Sequence, residues 1–174
     1  MNDNESPNTE ATGKTMMVIA FVIALALLTL LFGDLEEKQH NPNQSPSSFR
    51  QNNQVIVELT RNRYGHYVTT GTIDDKEVVF MLDTGATNVA IPGALEGYLN
   101  LERGQSFQVH TANGTAIAYA THIDYLQIGD IVLDNVRASI SPSMEGEEIL
   151  LGMSALKQLE MRQKGNQLTL IQER

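Results

Sequence analysis

The hydrophobic pattern of this chain changes character along its length. Met16–Phe32 reads MMVIAFVIALALLTLLF and is apolar at every position except Thr29. An unbroken apolar run of this kind predicts a helix with no polar face, which belongs in a membrane or a buried core. Seventeen residues of helix span about 25 Å, near the lower limit for crossing a hydrocarbon core. The run ends in Leu30-Leu31-Phe32-Gly33-Asp34 with no small-x-small cleavage site. The expectation is therefore an uncleaved signal anchor over residues 16–33 rather than a signal peptide. Residues 1–15 form a polar tail. Residues 34–54 are rich in Asn, Gln, Ser and Pro, a composition that predicts a flexible polar linker.

From Val55 the pattern turns into short apolar runs punctuated by turn residues. Val55–Leu59, Tyr67–Ile73, Val78–Leu82, Asn88–Ile91, Phe107–Thr111, Ile117–Ile123, Tyr125–Ile128, Ile131–Leu133, Val136–Ile140 and Gln167–Ile171 read as strands. Asp74-Asp75, Asn113-Gly114 and Gly165-Asn166 are turn signals between them. Only Met153–Leu159 has the look of a helix. Residues 55–174 are thus predicted to form one mostly-β domain with one short C-terminal helix. A domain of this size can bury its own core, but it has no room for two full lobes or for a (β/α)8 barrel.

Charge and composition narrow the function. Asp and Glu outnumber Lys and Arg by 21 to 12, and no basic cluster exists, so nucleic acid is not an expected partner. Cysteine is absent, which excludes disulfides, thiolate metal sites and cysteine nucleophiles. His40, His66, His110 and His122 are scattered without metal-ligand spacing, so no metal and no cofactor are expected. Gly152-Met153-Ser154-Ala155-Leu156 begins like a nucleophile elbow, but Leu156 stands where the second glycine is required. Lys14 precedes the apolar run and Lys38 and Arg50 follow it, a nearly balanced count. A short N-terminal tail and a large C-terminal domain suggest the amino terminus inside and the domain outside.

The chemistry concentrates in Val78–Ile91, VVFMLDTGATNVAI. An aspartate at the end of a buried strand is costly unless it is hydrogen-bonded or used. Asp83 is followed by Thr84, which can donate a hydroxyl, and by Gly85, which permits a tight turn. Asp, Thr and Gly are also ordinary turn residues, so the tripeptide alone does not decide between a turn and a site.

Leu82-Asp83-Thr84-Gly85-Ala86-Thr87 resembles the active-site motif of retropepsin-like aspartic proteases, and is most similar to their bacterial, single-pass membrane-anchored branch. The resemblance extends to Gly65-His66-Tyr67 before the motif, to Thr111-Ala112-Asn113-Gly114 at the position of a flap hairpin, and to Ile149-Leu150-Leu151-Gly152-Met153-Ser154. It spans about residues 64–172. It implies a single-lobe acid protease fold preceded by one transmembrane helix, and a protease domain outside the bacterial inner membrane. It implies Asp83 as the catalytic residue, Thr84, Gly85 and Ala86 as the active-site turn and dimer contact, and Ala112, Asn113 and Gly114 as the flap. Leu150, Leu151 and Gly152 would support the site from beneath.

Aspartic proteolysis needs two carboxylates sharing one proton, as in pepsin, because like charges a few ångströms apart cannot both ionise. This chain has one Asp-Thr-Gly, and Asp124, Asp130 and Asp134 lack the motif. The second carboxylate must then come from a second copy of the chain. The expected function is a homodimeric, membrane-anchored aspartic endopeptidase acting on protein or peptide substrates. The alternative is a dimeric peptide-binding module of the same fold that does not cleave, holding an extended peptide by strand addition.

Overall fold

A computed structural model describes residues 9–111 and 114–173. Helix α1 runs from Thr9 to His40, 32 residues, about 48 Å at the usual rise. Its apolar side chains are exposed all round, with Met17 at 71% and Leu30 at 69%. Among the described residues this is the one helix long and apolar enough to cross a membrane. The chain divides between Glu37 and Lys38 into two separate compact units.

The second unit grows from tight hairpins. Strands β1 (Ser47–Gln51) and β2 (Gln54–Thr60) are joined by Asn52-Asn53, and β3 (Val68–Ile73) and β4 (Lys76–Leu82) by Asp74-Asp75. All four of these turn residues have positive φ, between 47° and 66°. That is the mirror-image turn whose twist matches a two-residue hairpin, and short polar Asn and Asp tolerate it. The remaining strands are β5 (Val89–Pro92), β6 (Ser106–Thr111), β7 (Gly114–Ile128), β8 (Ile131–Ser141), β9 (Glu148–Leu151), β10 (Glu160–Lys164) and β11 (Gln167–Glu173). Helices α2 (Glu96–Leu99) and α3 (Met153–Leu156) are single turns, and a 3-10 turn covers Gly93–Leu95.

The strands make a four-stranded sheet, β1-β2-β11-β10, and a seven-stranded sheet, β3-β4-β9-β5-β8-β7-β6. The larger sheet curls until β3 also pairs with β7, at Thr72–Gln127 and Ile73–Leu126. Phe80, Ile73, Ile123, Leu126, Ile128, Ile149 and Leu151 fill its interior, and Val57, Leu59 and Leu170 join the same core from the smaller sheet. The expected mostly-β architecture with a short C-terminal helix is present, with additional short helices beside it.

Three expectations need correction. Ile117–Ile123 and Tyr125–Ile128 are one continuous strand, as are Ile131–Leu133 and Val136–Ile140. The register is unchanged on either side of Asp124 and Asn135, so these exposed polar residues mark a local irregularity, with Asn135 at φ 52°, rather than a break. The C-terminal helix ends at Leu156 instead of Leu159.

The third correction concerns residues 34–54, expected to be a loose linker. Helix α1 continues to His40, residues 47–51 form β1, and Asn41 and Asn43 are buried. The Asn43 side chain donates to the carbonyls of Thr60 (2.9 Å) and Val68 (2.7 Å) and accepts from the Thr60 N–H (2.7 Å). The Asn43 carbonyl accepts from the Thr70 N–H and the Thr69 hydroxyl, both at 3.1 Å. Asn41 donates to the Thr70 hydroxyl, and His40 contacts Glu148. A polar segment orders here because its amides replace backbone partners at the end of β2 and the start of β3. The folded unit therefore starts at Lys38 rather than at Val55.

Candidate active site

Asp83 closes β4, and β9 decides where it sits. Strand β9 lies between β4, to which it runs parallel (Phe80 with Ile149, Leu82 with Leu151), and β5, which it meets at Ala90–Leu150. The chain must then loop from β4 across the end of β9 to reach β5, and residues 83–88 are that loop. The Asp83 N–H donates to the Leu151 carbonyl (3.1 Å), and the Leu82 N–H to the Tyr67 carbonyl (3.0 Å). The loop turns back on itself through the Ala86 N–H to the Asp83 carbonyl (3.2 Å). The Gly85 N–H donates to Asp83 Oδ1 at 2.8 Å.

The loop is fastened from below. The Met153 N–H donates to the Ala86 carbonyl (2.8 Å) and the Ser154 N–H to the Thr87 carbonyl (2.9 Å). Such an approach tolerates only glycine at position 152. A Cβ there would lie 2.2 Å from the Asn88 carbonyl oxygen and 2.7 Å from that of Ala86. Leu151 beside it is fully buried, and Leu150 is half-buried. The result is a half-buried Asp83 with Thr84 and Gly85 exposed beyond it, on a loop fixed by backbone bonds.

The family model described as "gag-polyprotein putative aspartyl protease" matches residues 69–158, which take in β3, the Asp83 loop, β9 and α3. The chain belongs to this aspartyl protease family. An uncharacterized protein in the cobV 5' region of Sinorhizobium sp is 34% identical over 113 residues, covering 63% of this chain and 48% of that protein. The chain thus spans about half the length of the curated relative it matches. A retropepsin-like aspartic protease from Rickettsia conorii shares the fold, with a TM-score of 0.59 at 22% identity over 72% of this chain and 94% of that one.

In this member of the family the other sequence-derived residues fall as follows. Gly114 opens β7 with φ 117°, and Thr111 pairs with it across a hairpin. Ala112 and Asn113 lie outside the described residues. His110 and His122 are exposed on β6 and β7. A surface hollow lined by Glu77, Val79, Leu95, Tyr98 and Glu147 lies at the opposite end of β4 from Asp83 and does not include the aspartate.

Sequence reasoning assigned no role to two residues, although Ser154 lies inside the Ile149–Ser154 motif. The Ser154 hydroxyl is buried; it donates to the Arg137 carbonyl on β8 (2.7 Å) and accepts from the Val89 N–H on β5 (3.0 Å). It thus ties the end of the Asp83 loop to two strands. Its signal was available: a lone hydroxyl in the apolar turn Gly152–Leu156 must find partners once buried. Arg103, before β6, grips Glu96 with two nitrogens (2.6 and 2.9 Å) and lies 4.7 Å over the Tyr119 ring. The Glu96 hydrogen bond raises the Arg103 pKa above its ordinary value. No local pattern marks this pairing.

Proposed function

We propose that the chain is a membrane-anchored aspartic endopeptidase whose active site forms between two copies. The observation that carries this reading is the fastened Asp83-Thr84-Gly85 loop: a half-buried carboxylate at the mouth of a rigid turn, in a chain of the aspartyl protease family, with one such motif per chain.

In the proposed dimer the two Asp83 carboxyls face each other and hold one proton between them. The ionised one takes a proton from a water molecule, whose oxygen bonds to the peptide carbonyl carbon. The neutral one donates its proton to the carbonyl oxygen as that oxygen gains charge. The resulting gem-diol collapses when a proton reaches the amide nitrogen, the C–N bond breaks, and a carboxylic acid and an amine leave. Thr84 is assigned a contact across the two-fold axis, Gly85 and Ala86 the substrate backbone, and the hairpin around Ala112, Asn113 and Gly114 the exclusion of water. Leu150, Leu151 and Gly152 support the loop. Residues 1–15 are the tail, 16–33 the anchor in the bacterial inner membrane with the amino terminus in the cytoplasm, and the protease domain lies outside. Confinement to one bilayer raises the local concentration of the halves.

The test compares the full chain in detergent micelles with Asp83→Asn on a peptide library, with the oligomeric state measured beside it. Wild type cleaves, and the variant loses roughly a thousandfold or more. Equal cleavage by both, or none by a confirmed wild-type dimer at acidic and neutral pH, overturns the proposal.

A further inference from the structure

Strand β7 changes neighbours at Tyr119. From Tyr119 to Ile128 it pairs with β8, starting at Tyr119–Ile140, and from Gly114 to Tyr119 it pairs with β6, ending at Ser106–Tyr119. Strand β6 is the edge of its sheet. Among the described residues, 106–111 and 114–118 therefore find strand partners only in each other. A hairpin of this kind pivots where the second neighbour begins, which is Tyr119. Its root is clamped. The Gly104 N–H donates to the Ala120 carbonyl (2.7 Å), and the Ala120 N–H to the Gln105 carbonyl (3.0 Å). A Cβ at Gly104 would lie 2.8 Å from the Ala120 carbonyl oxygen. Arg103, one residue earlier, lays its guanidinium 4.7 Å over the Tyr119 ring. Glu96 holds it there: Arg103 Nη2 donates to Oε2 at 2.6 Å and Nε to Oε1 at 2.9 Å. A planar guanidinium gripped at two nitrogens loses its freedom to swing. Glu96 stands on a fixed base, since α2 buries Leu99 and the Tyr98 hydroxyl donates to the Glu77 carbonyl on β4 (3.2 Å).

We propose that Arg103 is a positioning residue: gripped by Glu96 and stacked on Tyr119, it sets the angle at which the hairpin leaves the sheet. This rests on the reading above, in which that hairpin covers the Asp83 site, and it names the part of the body that governs the cover. The two contacts divide the work. The ion pair joins α2 to residue 103 but does not reach the hairpin. The stack reaches the hairpin but has no fixed base without Glu96. Removing any one of the three groups therefore frees the hinge. The lever is long: the far end of the ladder, Thr111–Gly114, lies five residues from the root pair, about 17 Å along the strand. A tilt of about 10° at the root moves that end by about 3 Å, enough to matter for a group that must meet a bound peptide. The lock can also open, because the Arg103 side chain is 41% exposed and that of Glu96 24%, so water can replace the partners of both.

Hydrogen exchange of the full chain in detergent micelles reads the hinge without a substrate. Glu96→Gln, Arg103→Gln and Tyr119→Leu should each speed amide exchange in the hairpin about tenfold, while β4, β8 and β9 exchange as in wild type. Arg103→Lys keeps a charge over the ring but loses the two-nitrogen grip, and should fall between. With a library peptide that wild type cleaves, Arg103→Gln should raise KM about tenfold and change kcat by less than about threefold. The unlocked hairpin must be ordered when the peptide binds, whereas the carboxylates are untouched. Hairpin exchange that matches wild type, faster exchange spread evenly over the domain, or a wild-type KM in a variant whose hairpin has loosened overturns the inference. A hairpin loosened by all three variants, in a chain that cleaves no peptide, upholds the hinge lock and overturns the protease reading instead.

Discussion

Two polar segments cross the body of this domain, and they are held in opposite ways. The Asp83 loop is fixed by backbone groups: its own amides and carbonyls meet those of Leu151, Met153 and Ser154. The strap around Asn41–Asn43 is fixed chiefly by side-chain amides, with the Asn43 carbonyl the main-chain group that joins them. The first arrangement leaves the side chains of residues 83 and 84 available for chemistry. The second uses its side chains up. A polar segment poised to act and one that only closes the fold are therefore distinguished by which atoms do the holding.

Substitutions can break this contrast. Gly152→Ala attacks the backbone-held loop directly, since its Cβ would strike the Asn88 carbonyl. We expect a loss of about 3 kcal/mol in stability, read by chemical denaturation, together with reduced cleavage per folded molecule as the Asp83 loop is displaced. A Gly152→Ala variant as stable as wild type would show that the loop is not clamped.

Asn43→Ala attacks the strap. It removes the partners of the Thr60 N–H and of the Thr60 and Val68 carbonyls, which should cost about 2 kcal/mol. Here cleavage per folded molecule should be retained, because no strap atom is assigned to the site. Loss of cleavage at unchanged stability would erase the distinction between the two segments.

The smallest effect separates the loop from its support. Ser154→Ala leaves the backbone bonds of the loop intact and removes only the hydroxyl between Val89 and Arg137. About 1 kcal/mol of stability should be lost, with a change in kcat smaller than that of Gly152→Ala. If the two variants are equally damaging to cleavage, the hydroxyl contributes to positioning Asp83 as much as the glycine contact does.

Legibility in the sequence followed the range of the forces. Asp74-Asp75 could be read as a hairpin because left-handed backbone at two adjacent positions is a local demand. The Asp83 loop and Leu150-Leu151-Gly152 could be read as a pair through their resemblance to a known motif set. Strand β10 could not be read, because an edge strand with one inward apolar residue carries no alternating run. The strap could not be read either: Asn43 satisfies groups 17 and 25 residues away, and its neighbours Asn, Gln, Ser and Pro have the composition of a tether.

The sequence by itself determined the apolar helix, the mostly-β character of the domain, and a single Asp-Thr-Gly-Ala per chain. These depend on composition and on side-chain alternation, which survive without a partner. Tertiary structure alone decided where the folded unit begins, which strand stays open, and why position 152 must be glycine. Each of these depends on atoms distant in the chain coming within hydrogen-bonding or van der Waals reach, and only the folded backbone brings them there.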